Sequence, residues 1–276
     1  GCHKGGYARF RFALTGARTG SNELLVLPDN THRDYIPLGG DFNNYGGIYR
    51  PVHLIQTGAT HFDLLYYGTS GLTAEPSPDG KVQVSARIAG PTEGVQIQYE
   101  VLDQGDACAC VTCPASAPQA CLQVSRPHSW DGRKDPYLYA CRARLLRDGV
   151  CLDEASLPFG FRSIQLSPEQ GFFLNGQHLK LLGAAKHQDW EGCRCAVSEA
   201  QQRQDIQLFC GMGANAVRLS HYQHPDLTYD LCDQAGLVVW AEIPLLALPD
   251  GNEAVFENAK QQLTELILQL KHHPSI

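Results

Sequence analysis

The fold of this chain is decided by the stretch Asn215-Ala216-Val217-Arg218-Leu219-Ser220-His221-Tyr222 and by Gly236-Leu237-Val238-Val239-Trp240-Ala241-Glu242, which follows soon after it. Each stretch is an apolar run that ends in polar residues, and the segment around Tyr229–Asp233 between them has the character of a helix. This order predicts a strand, a loop, a helix and a second strand, which is typical of one unit of a parallel sheet.

Four polar residues fall where these strands end. Arg218, His221 and Tyr222 follow the first strand, and Glu242 ends the second. In a β/α barrel the catalytic groups project from that face, because the loops that leave the carboxyl ends of the strands converge there. A cation, an imidazole, a phenol and a carboxylate on one rim suit a polar, hydroxyl-rich ligand.

The order of these residues closely resembles the signature of glycoside hydrolase family 2, which includes the β-galactosidases and the β-glucuronidases. The family form is roughly N-A-V-R-x-S-H-Y-P, followed by an Asp and a Gly that lead into a strand with a carboxylate at its end. This chain keeps the pattern except for the proline, where it has Gln223. The resemblance implies a sugar-binding jelly roll, an immunoglobulin-like sandwich and a TIM-barrel catalytic domain.

Length and composition restrict the class of protein. With 276 residues the chain is long enough for two domains or one large one. No apolar run approaches the ~20 residues needed to span a bilayer, so we expect no membrane partner. The net charge of −7 argues against nucleic acid as a partner. The first residues, Gly1–Tyr7, are neither a signal peptide nor a natural start, so we expect an internal piece of a longer protein.

Eleven cysteines are many for an intracellular enzyme, and an odd number leaves at least one unpaired within the chain. The tightest group lies in a Pro/Ala/Ser-rich stretch and consists of Cys108, Cys110, Cys113 and Cys121. A zinc site needs two close pairs, which this spacing matches only loosely, and Cys193 and Cys195 have no second pair nearby. We therefore expect free thiols without a metal–thiolate site or a disulfide framework, as in the reducing cytoplasm.

The periodicity of the sequence changes at about residue 166. Before it, short alternating runs separated by Gly, Pro and Asp predict antiparallel strands. These runs are Ala8–Phe12, Glu23–Leu27, Lys81–Val84, Val95–Tyr99 and Tyr137–Cys141. After it, helices are predicted over Ser198–Gly211, with Ser198 as N-cap and Gln201 three residues on, and from about Asn252 to Lys271. The predicted fold is multidomain, β followed by α/β: antiparallel β-sandwiches and then the first strands and helices of a (β/α)8 TIM barrel.

The resemblance divides the chain into three parts. Residues 1–52 resemble the C-terminal part of the jelly-roll sugar-binding domain, residues 53–165 the immunoglobulin-like β-sandwich, and residues 166–276 the N-terminal part of the TIM barrel. Barrel strands are predicted at about Leu179–Ala184, Ala216–Leu219 and Leu237–Glu242. Because three strands cannot close a barrel, we expect a truncated barrel and no stable, independent catalyst.

Glycoside hydrolysis of this kind needs two carboxyl groups that flank the scissile bond. In the family, the acid/base Glu lies in a W-x-x-x-N-E motif just after the segment that resembles His272–Ile276, and the nucleophile lies further on. We therefore expect both glutamates beyond Ile276 and no catalytic residue within the chain. Glu242 suits a substrate hydroxyl or a hard cation such as Mg²⁺ or Na⁺, a role that Asp41 would also suit. The alternative is a rim carboxylate paired with Arg218.

The resemblance gives roles to the other site residues. It implies that His221, His187 and Asp41 bind sugar hydroxyls and that Arg218 orients the nucleophile. The alternatives are a loop histidine for His221, a turn-capping carboxylate for Asp41 and a structural salt bridge for Arg218. Tyr222 is either a sugar-stacking ring or a packing residue.

Near His187 this chain departs from the family pattern R-G-x-x-R-H. Leu182 and Lys186 replace the two arginines, which puts the polar network around His187 in doubt. Of the remaining candidates, the tryptophans Trp130 and Trp240 are interpreted as core or corner residues, and Asp205 and Asp233 as structural residues on helices.

The phrase Val238–Pro244 resembles bacterial β-galactosidases more than β-glucuronidases. The sequence-based prediction is therefore a retaining exo-β-galactosidase that releases terminal β-D-galactose from a β-galactoside, as a homo-oligomer in the full-length protein. The alternatives are a β-glucuronidase or another family 2 glycosidase, and a truncated, non-catalytic carbohydrate-binding remnant.

Overall fold

A β-sandwich forms the first regular part of the chain. The computed structural model describes residues 1–31, 34–246 and 251–276. The sandwich strands are β1 (His61–Phe62), β2 (Leu72–Pro76), β3 (Lys81–Ala86), β4 (Ile88–Ala89), β5 (Val95–Asp103), β6 (Asp106–Pro114), β7 (Gln119–Gln123), β8 (Tyr139–Arg147) and β9 (Val150–Phe159). One antiparallel sheet has the order β6-β5-β8-β9 and faces another of order β2-β3-β7, while β1 pairs with β4. The predicted antiparallel sandwich is confirmed.

Alternation along the strands explains the core of this sandwich. In β3, Val82 and Val84 are buried, whereas Lys81 and Gln83 are exposed. In β5 the same period buries Ile97 and Tyr99. Because successive side chains of a strand point to opposite faces, each sheet turns one apolar face inward, and the two faces form a single core.

A short hairpin connects the sandwich to the next part. It consists of β10 (Ile164–Ser167), β11 (Gly171–Leu174) and β12 (Gln177–His178), which pair in antiparallel order. Asn175 and Gly176 form the turn between β11 and β12 with φ of 50° and 75°. Asn and Gly adopt such positive φ at low cost, which is why this dipeptide is typical of tight hairpins.

A parallel sheet with helices follows. Its elements are β13 (Gly183–Lys186), α1 (Glu199–Gly211), β14 (Ala216–Leu219), α2 (Asp226–Ala235), β15 (Val238–Ala241) and α3 (Glu253–Leu270). The strands pair in parallel in the order β13-β14-β15. Strand, helix and strand therefore alternate as in the first units of a β/α barrel, as predicted.

The predicted element boundaries are correct where the signal is local. Ser198 caps α1 in a reciprocal arrangement with Gln201, and the Asn252 side chain caps α3. β14 has the predicted bounds, and β15 is one residue shorter at each end. The first strand is predicted too early, because β13 begins only at Gly183.

The two faces of the parallel sheet differ in burial. Val217, Leu219 and Val239 pack with α2 and α3 in one apolar cluster. Arg218 and Trp240, which are paired in register, point to the other face. Trp240 is 68% exposed, so of its two predicted places, core or corner, the core is wrong: it alternates with Val239 and therefore lies on the open face. Trp130, in contrast, is fully buried.

The N-terminal segment contains no strand in residues 1–31 and 34–60. The strands predicted at Ala8–Phe12 and Glu23–Leu27 are therefore wrong. Strands require hydrogen bonds from a neighbouring strand, and here side chains of α3 bind the backbone instead. The Gln269 side chain accepts from Arg9 N at 3.2 Å and donates to Arg9 O at 2.8 Å. Leu24 to Leu27 are exposed.

Two further features concern the class of protein. All eleven cysteines are free thiols in the structure. Among the described residues, no helix combines the length and the apolar character that crossing a membrane requires.

Candidate functional site

The ends of β14 and β15 bring a guanidinium and a carboxylate together. Arg218 Nε donates a hydrogen bond to Glu242 Oε1, and the hydrogen bond to Glu242 raises the pKa of Arg218. Burial of the Glu242 carboxyl opposes its ionisation. Hydrogen bonds from Arg218 and His221, and their charges, outweigh that effect and hold the pKa of Glu242 below its usual value. Glu242 is therefore an anion at neutral pH.

His221 lies between two carboxylates. Its Nδ1 is 2.8 Å from Glu242 Oε2, and its Nε2 is 3.4 Å from Asp41 Oδ1. The side chain is buried, with 8% exposure. When Nδ1 carries the proton and donates to Glu242, Nε2 is the nitrogen that faces Asp41 and can accept a hydrogen bond from a ligand.

His187 follows β13 and completes a group with Asp41 and His221, here called the Asp–His cluster. The ring centroids of His187 and His221 are 5.2 Å apart. One potential ligand atom from each of the three residues lies within 4.8 Å of the others. Two imidazoles and a carboxylate offer hydrogen-bond donors and acceptors close enough together to bind neighbouring hydroxyl groups, which suits a polyhydroxylated ligand.

The Asp–His cluster does not fit Mg²⁺ or Na⁺. Hard cations prefer six or more oxygen ligands, and this group supplies one carboxylate and two nitrogen ligands. Glu242, the predicted cation ligand, lies outside the group because Arg218 and His221 bind its two oxygens. The metal role of Glu242 stays a prediction, and its geometry is that of the alternative, an ion pair with Arg218.

Tyr222 lies behind the cluster. It is 3% exposed, and its ring stacks on Tyr7 with 4.3 Å between centroids. The hydroxyl accepts a hydrogen bond from Gln188 N at 3.1 Å, and burial raises the pKa of Tyr222. Of the two interpretations of Tyr222, this geometry favours the packing residue.

Lys186 has a contact that the sequence pattern missed. Its Nζ lies 2.6 Å from Asp205 Oδ2 on α1 and donates to the carbonyl oxygen of His187 at 3.0 Å. The lysine that replaces the arginine of the family pattern therefore holds the backbone of His187. No local signal predicts this contact, because Asp205 lies on a helix distant in sequence.

A cavity of about 450 Å³ lies next to the cluster. We call it the side pocket, and its walls include Phe42, Asn43, Tyr45, Trp190, Arg194 and Tyr222. Sequence reasoning assigned no role to Tyr45, Trp190 or Arg194: Tyr45 lies in the stretch that resembles the jelly roll, and the other two belong to no motif.

Comparison with known families agrees with this architecture. The profile described as "Glycosyl hydrolases family 2" matches residues 71–162, and "Glycosyl hydrolases family 2, TIM barrel domain" matches residues 165–276. Both profiles belong to one family, and together they match most of the chain in the order that the fold shows. The chain belongs to glycosyl hydrolase family 2.

Several family 2 proteins are similar over all or most of the chain. A β-glucuronidase of Bacteroides fragilis is 38% identical, covering 100% of this chain and 43% of the relative. A β-galactosidase of Thermoanaerobacter pseudethanolicus is 31% identical, covering 100% of this chain and 38% of the relative. The crystal structure of an FMN-binding β-glucuronidase from Faecalibacterium prausnitzii L2-6 superposes with a TM-score of 0.85 and 34% identity. The match covers 89% of this chain and 39% of the chain in that structure. The chain thus spans about two fifths of the length of these relatives.

The structure brings five of the six predicted site residues of this family 2 chain into one network. Asp41, His187, His221, Arg218 and Glu242 share the rim at the carboxyl ends of the strands, with Tyr222 packed behind them. Their roles toward a sugar, and the two catalytic glutamates expected beyond Ile276, remain predictions.

Proposed function

We propose that this chain forms the sugar-binding part of a retaining β-glucuronidase, an enzyme that releases a terminal glucuronosyl unit from a β-glycoside. The observation that carries the proposal is the Asp–His cluster on the rim of a family 2 barrel sheet. The choice of glucuronate follows the relative from Bacteroides fragilis, which is named a β-glucuronidase and is 38% identical along the whole chain.

A β-galactosidase is the second candidate. The phrase Val238–Pro244 supports it, as does the 31% identical relative from Thermoanaerobacter pseudethanolicus, which is named a β-galactosidase. The Asp–His cluster recognises hydroxyl groups, which both sugars carry, and therefore does not distinguish them. The higher identity to a β-glucuronidase makes the galactosidase prediction the weaker of the two.

In the proposed reaction two carboxyl groups work by double displacement, about 5 to 5.5 Å apart in retaining enzymes. The residues of this chain hold the sugar. Asp41 accepts hydrogen bonds from hydroxyl groups, and His221 accepts one at Nε2 while Nδ1–H donates to Glu242. Arg218, fixed by Glu242, presents its remaining N–H groups to the nucleophilic carboxylate.

Turnover of two substrates by the full-length gene product tests this proposal. We expect kcat/KM for 4-nitrophenyl β-D-glucuronide to exceed that for 4-nitrophenyl β-D-galactoside by about 10²-fold or more, with the β-anomer as first product. His221→Phe should lower kcat/KM for the glucuronide by about 10²-fold, because the cluster loses its central hydrogen-bonding group. His178→Phe, at an exposed position of the hairpin, is the matched control.

The other outcomes identify the alternatives. A reversed substrate preference would establish the β-galactosidase. Absence of turnover with both glycosides between about pH 4 and pH 9, a range that brackets the pKa values of catalytic acid–base pairs, would leave the non-catalytic carbohydrate-binding remnant.

A further inference from the structure

The three side chains of the Asp–His cluster are also a ligand set for a borderline divalent metal ion. Zn²⁺ and its neighbours in the transition series accept imidazole nitrogen together with carboxylate oxygen, whereas Mg²⁺ prefers oxygen alone. The cluster offers two imidazoles and one carboxylate, and one potential ligand atom of each residue lies within 4.8 Å of the others. Zinc sites with three protein ligands keep the fourth position open for water or another ligand.

One edge of a tetrahedral zinc site is already present. Zinc bonds to nitrogen and oxygen are about 2.0 to 2.2 Å long, so two ligands of a tetrahedron lie about 3.3 to 3.6 Å apart. The distance between His221 Nε2 and Asp41 Oδ1 is 3.4 Å. The other two edges measure at most 4.8 Å, and both meet at His187. A small turn of that one ring therefore brings the third ligand to the metal.

The His187 ring has a nitrogen that needs a partner. Within the described residues, His187 Nδ1 is buried and has no hydrogen-bond partner. A buried polar atom without a partner is unfavourable, and coordination of a metal at this nitrogen satisfies it without breaking an existing bond. Lys186 Nζ donates to the carbonyl oxygen of His187 at 3.0 Å and holds the backbone in place while the ring turns.

The His221 ring is oriented as in known zinc sites. A histidine that binds a metal through one nitrogen almost always donates its other N–H to a carboxylate, a carbonyl group or water. His221 Nδ1 lies 2.8 Å from Glu242 Oε2, and Nε2 faces Asp41. Arg218 Nε donates to the other oxygen of Glu242 and fixes this carboxylate. The lone pair of Nε2 therefore points into the cluster before a metal binds.

The surroundings of the cluster tolerate a divalent cation. Two basic side chains lie close by, and a carboxylate compensates the charge of each: Glu242 binds Arg218, and Asp205 lies 2.6 Å from Lys186. Paired in this way, they repel a metal ion much less than bare cations would. The Phe42 ring, 6.0 Å from the rings of both histidines, adds an apolar neighbour that limits the access of water.

We infer that Asp41, His187 and His221 bind Zn²⁺ or a similar borderline divalent ion, with Glu242 as the residue that positions His221. The Asp41 carboxylate and His221 Nε2 are the same groups that the proposed function assigns to sugar hydroxyls. A metal ion on these atoms excludes the sugar, so Zn²⁺ is an inhibitor that competes with the glycoside. The competition rests on the proposed function, whereas the metal site does not.

Calorimetric titration of the full-length gene product with ZnCl₂ alone tests the metal site. Exposed thiols are first blocked with iodoacetamide, because thiolates also bind zinc. Asp41→Ala, at a side chain that is 76% exposed, and His187→Phe each remove a ligand and should lose one equivalent of bound Zn²⁺. Glu242→Gln should keep this equivalent with about 10- to 100-fold weaker affinity. His178→Phe, at an exposed position of the hairpin, is the control and should bind as the unsubstituted protein does.

Unchanged stoichiometry and affinity in both Asp41→Ala and His187→Phe would overturn the metal site. A loss in these two variants, together with retention in His178→Phe, supports it. Because the Asp41 side chain is exposed, loss of the equivalent in Asp41→Ala does not require a misfolded protein.

Inhibition of turnover tests whether the metal excludes the sugar. With 4-nitrophenyl β-D-glucuronide as substrate, Zn²⁺ should raise the apparent KM and leave kcat unchanged, and EDTA should restore the original KM. A lower kcat at unchanged KM, or a higher kcat/KM, would overturn the competition while calorimetry still supports the metal site. If neither the glucuronide nor the galactoside is cleaved, the proposed function fails and the competition with it, and calorimetry alone decides on the metal site.

Discussion

The carboxylate of Asp233 and the imidazole of His273 form a buried pair that ties α2 to the segment after α3. His273 Nδ1 lies 2.6 Å from Asp233 Oδ2, and the two residues are 2% and 1% exposed. The other carboxylate oxygen accepts from Ser275 N at 3.0 Å, and the carbonyl oxygen of Asp233 accepts from Trp130 Nε1 at 2.9 Å. One residue of α2 thus holds both the end of the chain and the sandwich.

Asp233→Ala should lower the free energy of unfolding by about 3 to 5 kcal/mol, because it leaves a buried imidazole and a buried N–H group without their acceptors. Urea unfolding followed by circular dichroism measures the loss. Glu93→Ala, at an exposed position before β5, is the control and should leave the unfolding midpoint unchanged. A loss at Asp233 of less than about 1 kcal/mol, the range of surface ion pairs, would contradict the argument.

His224 should make the stability of the chain fall in acid. The residue is 1% exposed, and its Nε2 lies 3.1 Å from the carbonyl oxygen of Ser220. Burial, and then the charge of Lys186, lower the pKa of His224 well below its usual value. The unfolded chain takes up a proton here below about pH 6.5, whereas the folded chain does not. The free energy of unfolding therefore falls as the pH falls, by up to about 1.4 kcal/mol per pH unit from this residue.

Urea unfolding between about pH 6.5 and pH 4 tests the sign, because that window lies below the usual histidine pKa. His224→Phe keeps a ring next to Tyr222, whose centroid is 5.3 Å away, and removes the titration. The variant should lose stability less steeply in acid than the unsubstituted chain. His178→Phe, at an exposed position, should retain the original slope, and equal slopes for both variants would refute the role of His224.

Local features of the fold follow from the sequence alone. The helix α1 begins where Ser198 and Gln201 place a capping box, because the groups that bind each other are three residues apart. The strand β14 has its predicted bounds, since an apolar run between a Gly-containing turn and polar residues defines both ends. His187, His221 and Glu242 meet because each follows a parallel strand, and parallel strands end at the same edge, whereas Asp41 comes from the N-terminal segment.

Features that depend on distant partners do not follow from the sequence. The alternation at Ala8–Phe12 predicts a strand, yet the hydrogen bonds of Arg9 go to Gln269 on α3. The exposure of Trp240 depends on what faces that side of β15. The side pocket joins Tyr45 to Arg194 across about 150 positions of sequence, and no periodicity records such a contact.

The pair of Lys186 and Asp205 should show strong coupling in a double-mutant cycle. The two charged groups are 2.6 Å apart, with side-chain exposures of 8% and 15%. Lys186→Met or Asp205→Leu alone leaves a mostly buried charge unpaired and should cost about 3 to 5 kcal/mol, whereas the double substitution removes both charges and should cost less than the sum. Urea unfolding of the four proteins gives the coupling energy. Additive losses would mean that the ion pair contributes nothing of its own.

Glu242→Gln should lower the free energy of unfolding at neutral pH, and this loss should shrink as the pH falls. The pKa of Glu242 lies below its usual value, because hydrogen bonds from Arg218 and His221 outweigh burial. The stabilisation from the ionised carboxylate is therefore complete above the usual carboxyl pKa of about 4.3 and is lost as pH falls through the lower folded value. Unfolding of both proteins in urea between about pH 7 and pH 3 should show a constant difference at the upper end that shrinks at the lower end.

Glu257→Gln, in an exposed pair with Lys260 on α3, is the control for loss of one surface carboxylate. A difference for Glu242→Gln that grows as pH falls would reverse the sign of the coupling and refute the ion-paired assignment of this carboxylate.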